Sequence, residues 1–290
     1  MLYDHESGEK FDRATGISPA MINKLGSLHR ASDLSAMKLI SFNVNGIRAS
    51  ANKGLTASLE RMNADIYCFQ EVKASEQQTI EALRDLQEYH IHVHSAEKPG
   101  YSGTAILSRE MPVRVDYGLH CGEDHLMEGR VITATFADHI VVNAYVPNSG
   151  SDLKRLSFKK MWCELMGEHL TSLAQGPRPV IFTGDLNIAH QEIDIARPKA
   201  NYNKTAGYTQ VEIDAFTAWL NAGFVDTFRH LHPDEVKYSW WNQRFGARAK
   251  NIGWRIDYVL VNKDFMPKVK DAFILNEIMG SDHCPVGIEW

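Results

Sequence analysis

Cysteine is scarce in this sequence, and its four copies, Cys68, Cys121, Cys163 and Cys284, show no Cys-x-x-Cys spacing. That excludes a disulfide scaffold and a thiolate zinc site, and predicts reduced thiols packed in the interior. Cys284 stands beside His283 and Asp282 but has no second thiol near it, so it is read as core packing. Long apolar runs are missing as well. Nothing approaches the roughly 18 consecutive apolar residues of a membrane helix, so no membrane partner is expected. Met1 to Lys10 carries acidic residues where a secretory signal would have a basic end and an apolar stretch, so a soluble, cytoplasmic protein is expected, nucleoid-associated if bacterial. Basic charge is not in surplus: 31 Lys and Arg face 36 Asp and Glu, a net charge of −5. This argues against a generally basic nucleic-acid binder but leaves room for a local basic face, because inward-facing carboxylates are counted with the surface.

From Lys38 onward no Pro/Gly/Ser-rich linker, composition shift or fixed-period repeat divides the chain. We read one domain over 37–290 and a loose extension over 1–36. Eight short apolar, β-branched runs predict strands: Leu39 to Val44, Ile66 to Phe69, Thr104 to Leu107, Val131 to Phe136, Ile140 to Val146, Val180 to Thr183, Ile256 to Val261 and Val286 to Ile288. Phe158, Met161, Trp162, Leu165 and Met166 recur at helical offsets and predict one buried helix face. Thr209 and Glu212 form a Thr-x-x-Glu capping box ahead of an Ile213, Phe216, Leu220 stripe. Many strands with a few amphipathic helices predict an α/β fold in which two mixed sheets pack face to face with helices outside.

The strands end in polar groups: Phe-Asn-Val-Asn-Gly (42–46), Phe-Gln-Glu-Val-Lys (69–73), Tyr-Val-Pro-Asn (145–148), Gly-Asp-Leu-Asn (184–187) and Gly-Ser-Asp-His (280–283), with Asp257 inside another. Singly, each has a bland reading. Asn45-Gly46 is a common turn, Asp185 and Asn187 can make Asx turns, Ser281-Asp282 can be a turn, and Asp257 can pair with Arg255. Together they carry more. If the strand ends converge, Glu71, Asp185, Asp257 and Asp282 crowd one site at a cost of several kcal/mol unless positive charge enters. Oxygen ligands from Glu, Asp and Asn suit Mg²⁺, with Mn²⁺ a possible substitute, and such an ion beside Asn and His fits phosphate-ester hydrolysis.

The motifs Asn43 to Arg48, Gln70-Glu71, Gly100 to Gly103, Glu128-Gly129-Arg130, Gly184 to His190, Gly253 to Tyr258 and Gly280 to Pro285, in this order, resemble the exonuclease III family of abasic-site endonucleases. The resemblance covers about Lys38 to Trp290. It implies a four-layered, deoxyribonuclease I-like α/β sandwich forming an endonuclease/exonuclease/phosphatase catalytic domain over 37–290. The implied activity is hydrolysis of the phosphodiester 5′ to abasic sites, with 3′-to-5′ exonuclease and 3′-end-cleaning activity, by a monomer acting on double-stranded DNA with abasic sites or blocked 3′ ends.

By the same resemblance Glu71, with Asn45 and Asp282, binds the metal, and Asp185 and Asn187 offer a second metal position. Asp185 activates or orients the attacking water, assisted by Asn187. His283, oriented by Asp257, contacts the scissile phosphate, and Tyr145, Asn43 and Asn148 support phosphate and leaving group. Trp240, Trp254 and Ile256 correspond to the walls of an abasic-sugar pocket. Arg48, Lys53, Lys73, Lys98, Tyr101, Arg244 and Lys250 are the candidates for DNA contact. Some members carry Asp in place of Asn45, which leaves the second metal position open. Ser151 and Arg244 replace an Arg and a Met of the human enzyme, so contacts across the groove differ. Residues 1–36 hold no cysteine and no Lys/Arg cluster, so the redox and import roles of that relative are not carried over. Two other functions compete: a phosphatase or lipid phosphodiesterase of the same superfamily, disfavoured by Tyr238 to Trp241 and Gly253 to Tyr258, and a non-catalytic DNA-binding module, which gives no reason for the carboxylate set.

Overall fold

The computed structural model describes residues 2–3, 10–11, 36–119 and 127–290. The chain divides into two compact units, Met1–Ala36 and Met37–Trp290. In the first, Leu2–Tyr3 pairs antiparallel with Lys10–Phe11; the rest of the extension, and Cys121, lie outside the described residues.

The second unit is built on β1 (Lys38–Asn43), β2 (Ile66–Gln70), β3 (His90–His94), β4 (Thr104–Ser108), β5 (Arg114–Tyr117), β6 (Val131–Thr135), β7 (Ile140–Tyr145), β8 (Val180–Asp185), β9 (Phe224–Asp226), β10 (Trp240–Trp241), β11 (Gly253–Trp254), β12 (Asp257–Asn262), β13 (Asp271–Ile274) and β14 (Val286–Glu289). One six-stranded sheet runs β13-β14-β1-β2-β4-β3 and the other β9-β12-β8-β7-β6-β5. Each is mixed by virtue of a single parallel pair, β1 with β2 and β7 with β8. Strands β10 and β11 form a separate ribbon.

Alternation along the strands sorts side chains into layers. Leu39, Ile66, Cys68 and Ile106 of one sheet meet Ile132, Val141, Ile181 and Val261 of the other in the central core. Ile40, Phe42, Tyr67 and Phe69 face outward with Leu55 and Leu59 of the helix Leu55–Met62. On the opposite side Val142, Phe182 and Leu260 pack with Trp162, Met166, Phe216 and Trp219 of the helices Leu156–Ala174 and Gln210–Asn221. Helix, sheet, sheet, helix gives the four layers.

All eight expected strands form, with ends shifted by no more than two residues. Two helix faces differ from expectation. Met161 is exposed, and the buried face of Leu156–Ala174 is Lys159, Trp162, Cys163, Met166 and Leu170. In Gln210–Asn221 the capping box of Thr209 and Glu212 forms as expected, but the fully buried side chains are Glu212, Phe216 and Trp219, with Ile213 and Leu220 only partly covered. In both helices a charged side chain joins the buried face. Lys159 and Glu212 pair across the two helices at 2.8 Å, drawing each charge inward. Cys68, Cys163 and Cys284 are buried free thiols, as expected.

Candidate active site

The inward-facing positions of the strands turn polar towards one end of the sandwich. Asn143 of β7 accepts from Gln70 of β2 (2.7 Å) and donates to the carbonyls of Phe69 and Ala105, tying the sheets together. One step nearer the mouth, Asn43 of β1 donates to Asp185 of β8 (2.8 Å) and to Glu71 just past β2 (3.0 Å). Register sets Asp185 between Tyr145 and Asp257, its partners on the flanking strands. Gly184 makes this approach possible: at φ +140° a Cβ there would lie 1.9 Å from the Ala144 carbonyl oxygen, so Gly is required before Asp185.

Glu71 also accepts from the Tyr145 hydroxyl (2.9 Å) and pairs with Lys73. Lys73 donates to Asn45 Oδ1 (2.7 Å), while Asn45 Nδ2 donates to Asp282 Oδ1 (2.8 Å). Asn187 receives a bond from Asn148 (3.0 Å) and gives one to the Val146 carbonyl (3.0 Å), and its own backbone N–H donates to Asp185 Oδ1 (3.0 Å). His283 Nδ1 lies 2.9 Å from Asp257 Oδ2, leaving Nε2 facing Asp185 at 3.8 Å. Ser239 donates to Asp257 (2.6 Å) and accepts from its backbone N–H, fixing the carboxylate that orients the histidine. Asn45, Glu71, Lys73 and Asn187 all have positive φ between 45° and 52°. Such strain in non-glycine residues, on the order of 1 kcal/mol each, gathers where the surrounding structure dictates side-chain direction.

Burial sets the charge states. Burial pushes the Asp185 carboxyl up, reinforced by Asp257 and Glu71 and opposed by His283, to about 7. Burial works against the His283 imidazolium, but Asp257 and then Asp185 outweigh it and raise it to about 10. The Tyr145 phenol is driven well above its ordinary value by burial and then by Glu71 and Asp185, so it is a donor and not a base. Glu71 is held below the usual carboxylate range because Lys73 overcomes the effect of burial.

A divalent cation fits here. Carboxylate oxygens of Glu71 and Asp185 lie within 4.8 Å of each other and of His283, and this oxygen-rich set, without a thiolate, suits a hard ion, with the imidazolium beside it and not a ligand. Asn45 and Asp282 adjoin this set through Lys73, which pairs with Glu71 and donates to Asn45. Asp257 does not pair with Arg255. Arg255 is bound instead by Asp194 and Asp226.

Glu71, Tyr145, Asn148, Asp185, Asn187, Asp282 and His283 line one cleft of 520 Å³ together with Trp240, Trp254 and Ile256. The two indoles stand edge to face with centroids 6.0 Å apart, and Trp240 Nε1 donates to Asp282 (3.3 Å). Of the remaining DNA-contact candidates, Lys53, Lys98, Arg244 and Lys250 are exposed. Tyr101 sits under Lys98 and is held by Arg130 and Arg155. Arg48 lines a different cleft with Glu76 and Glu81. Sequence reasoning missed Ser239, the inward role of Lys73, and Lys204, which lies at the pocket wall. A serine or lysine in a loop carries no signal until its neighbours are known.

The profile of the Endonuclease/Exonuclease/phosphatase family matches residues 40–283. An exodeoxyribonuclease of Bacillus subtilis (strain 168) is 48% identical over 254 residues, covering 86% of this chain and 98% of that protein. The DNA repair nuclease APEX1 of Danio rerio is 43% identical over 253 residues, covering 86% of this chain and 81% of its own length. The crystal structure of an AP endonuclease from Leishmania major superposes with a TM-score of 0.79 at 29% identity, over 89% of this chain and 88% of that one.

Proposed function

This chain belongs to the endonuclease/exonuclease/phosphatase family, and from that premise we propose that it is a metal-dependent DNA-repair nuclease that hydrolyses the phosphodiester 5′ to abasic sites. Exonuclease action and cleaning of blocked 3′ ends use the same cleft. The observation that carries the reading is that the carboxylate-rich floor and the indole walls of Trp240 and Trp254 share that cleft. A sugar without a base leaves the helix at little cost and fits beside the indoles, where a whole nucleotide does not.

Mg²⁺, with Mn²⁺ as a substitute, is the ion that suits Glu71 with Asn45 and Asp282, and when bound it would neutralise charge on the phosphoryl oxygens. Asp185 and Asn187 orient the attacking water, and a carboxyl raised towards neutrality is a better proton acceptor than an ordinary one. His283, kept cationic by Asp257, presents Nε2–H to a non-bridging phosphate oxygen, Asn148 adds a neutral donor nearby, and the Tyr145 hydroxyl, which donates to Glu71 before substrate enters, supports the phosphate by turning its proton towards it. The protein acts as a monomer on double-stranded DNA. That substrate is consistent with a cytoplasmic protein, nucleoid-associated if bacterial.

The test is a duplex with one abasic analogue, incubated with Mg²⁺ or with EDTA. Nicking 5′ to the analogue that EDTA abolishes supports the reading. Inert DNA together with hydrolysis of an inositol phosphate would transfer it to the phosphatase branch. Trp254→Ala sharpens the pocket assignment: in a variant with an unchanged melting curve, the ratio of abasic to intact-strand cleavage should fall, and an unchanged ratio removes the pocket.

A further inference from the structure

Asp282 and His283 reach the cleft from a segment with little regular structure, 275–285, and something must hold its main chain. On one side the ribbon strand β10 does so. Trp241 N–H donates to the Asp282 carbonyl (3.0 Å), Cys284 N–H donates to the Ser239 carbonyl (2.7 Å), and Trp240 bridges to His283. Two side chains add to this hold: Lys53, whose Nζ donates to the Gly280 carbonyl (3.3 Å), and Arg248. Its Nη2 donates to the carbonyl oxygens of Asn276 (2.8 Å) and Ile278 (2.7 Å), and its Nη1 to those of Ser281 (3.1 Å) and His283 (3.5 Å). The guanidinium lies over the Trp241 ring, 4.6 Å from its centroid. A planar fork of N–H donors can span four carbonyls in this way; a lysine ammonium, with three donors on one atom, cannot.

Arg248 belongs to 242–252, a segment whose Arg244, Phe245 and Lys250 are exposed at the rim of the site. Asn242, Gly246 and Arg248 line a 400 Å³ cleft there with Lys53, Asn45 and Asp282. Among the described residues, the hydrogen bonds that join the 242–252 rim to the segment carrying Asp282 and His283 come from the Arg248 guanidinium.

We propose that Arg248 is a positioning residue: it sets the main chain of Asn276–His283 so that Asp282 and His283 face the reacting phosphate, and it makes the 242–252 rim and that segment move as one. For its kinetic consequence this rests on the nuclease reading; its structural content does not. A displacement of about 1 Å at a catalytic group can cost on the order of a hundredfold in rate without weakening substrate binding. The expected effect is therefore on turnover and not on affinity.

The experiment compares wild type with Arg248→Lys and Arg248→Ala, using single-turnover cleavage of an abasic duplex at saturating Mg²⁺, duplex Kd, and the ¹⁵N-labelled His283 ring resonances of the DNA-free protein. Arg248→Lys, which keeps charge and bulk, should lose about ten- to a hundredfold in rate with Kd changed by less than about threefold, and should shift the His283 resonances. Guanidinium ion, well below denaturing concentrations, should restore part of the rate to Arg248→Ala, while methylammonium should not. A lysine variant with wild-type rate and unmoved His283 resonances overturns the proposal. So does a loss confined to Kd. If Arg248→Ala does not fold, the lysine variant carries the test. If wild-type protein fails to cut the duplex, the nuclease reading falls, while the His283 resonances still decide whether Arg248 sets that ring.

Discussion

Two buried charge clusters lie a few residues apart along one stretch of chain, and they are built on opposite rules. Around Arg255, two guanidinium groups face two carboxylates. Arg255 pairs with both Asp194 and Asp226, and Arg229 adds a second partner to Asp194 and donates to the carbonyls of His232, Pro233 and Glu235. Around Asp257, four carboxylates (Glu71, Asp185, Asp257 and Asp282) pair, among the described residues, with Lys73 and His283 as their cations. The first cluster balances its own charge and has no need of a ligand. The second leaves a deficit of positive charge that a metal ion and its bound phosphate can meet. The contrast separates a structural network from a catalytic one without appeal to either's position in the fold.

The largest effect should come from unbalancing the balanced cluster. Asp194→Asn strips two arginines of a shared partner and should cost about 3–5 kcal/mol, roughly 10 °C in melting temperature. Thermal denaturation in EDTA would check it. Asp185→Asn, made in the surplus cluster, should leave the metal-free melting temperature unchanged or higher. Equal destabilisation by the two variants would break the comparison. pH sharpens it. In EDTA the folded state keeps a proton on Asp185 up to about pH 7. The unfolded state releases that proton near its ordinary value, so the favourable contribution of Asp185 is lost as pH rises towards 7. That slope should vanish in Asp185→Asn.

Function should respond in the reverse order. Asp185→Asn and His283→Ala should each lower single-turnover cleavage by about a hundredfold or more with little change in duplex affinity. Rapid-quench rates set beside binding isotherms test this. A parallel fall in both would mean that these groups dock substrate and do not act on it.

How much of this was legible in the sequence follows from the same physics. The eight expected strands are mostly interior strands with apolar side chains on both faces, and such runs announce themselves. Within the two six-stranded sheets, the four strands that escaped notice, β3, β5, β9 and β13, are the four edges; the short ribbon β10–β11 escaped as well. An edge strand such as His90–His94 or Arg114–Tyr117 is half covered, and its polar side chains break the alternation that identifies a strand. At the site, Asp185, Asn187, Glu71 and His283 stood out because motifs fix them against strand ends. Lys73, near Glu71, reads as a candidate for DNA contact, and its pairing with Glu71 appears only once both residues, at positive φ, are placed. Lys159 misled more: a lysine on an apolar helix face signals nothing about the glutamate that will meet it 53 residues later.

Metal should stabilise the surplus cluster alone. At about ten times its Kd, Mg²⁺ should add roughly 1.4 kcal/mol to wild-type stability through mass action. It should add much less to Glu71→Gln, and it should leave the Asp194→Asn deficit untouched. Melting curves across a Mg²⁺ titration give the answer. An equal response in wild type and Glu71→Gln would remove Glu71 from the metal site.

The smallest expected effect on catalysis belongs to a third buried pair, one lysine against one glutamate. Glu212 accepts hydrogen bonds from Lys159, Ser149, Thr209 and the Gly207 N–H, and Lys159 also donates to the carbonyl of Asn187 (2.6 Å). Burial alone would raise the Glu212 carboxyl, but Lys159 outweighs it and holds it below its ordinary value. Below that ordinary value, near 4.5, the unfolded chain takes up a proton that the folded state still refuses. The pair's contribution is therefore complete above about pH 5 and lost as pH falls through the folded value. The predicted signature is a shallow acid limb in stability that is missing in Glu212→Gln, together with a flat profile for this pair between pH 6 and 8. Because the same pair grips the main chain of Asn187 and Gly207 at the cleft wall, Glu212→Gln should also raise KM for the abasic duplex slightly at neutral pH, where the acid limb is silent. If it removes the limb and leaves KM untouched, the pair supports the fold and has no hold on the site.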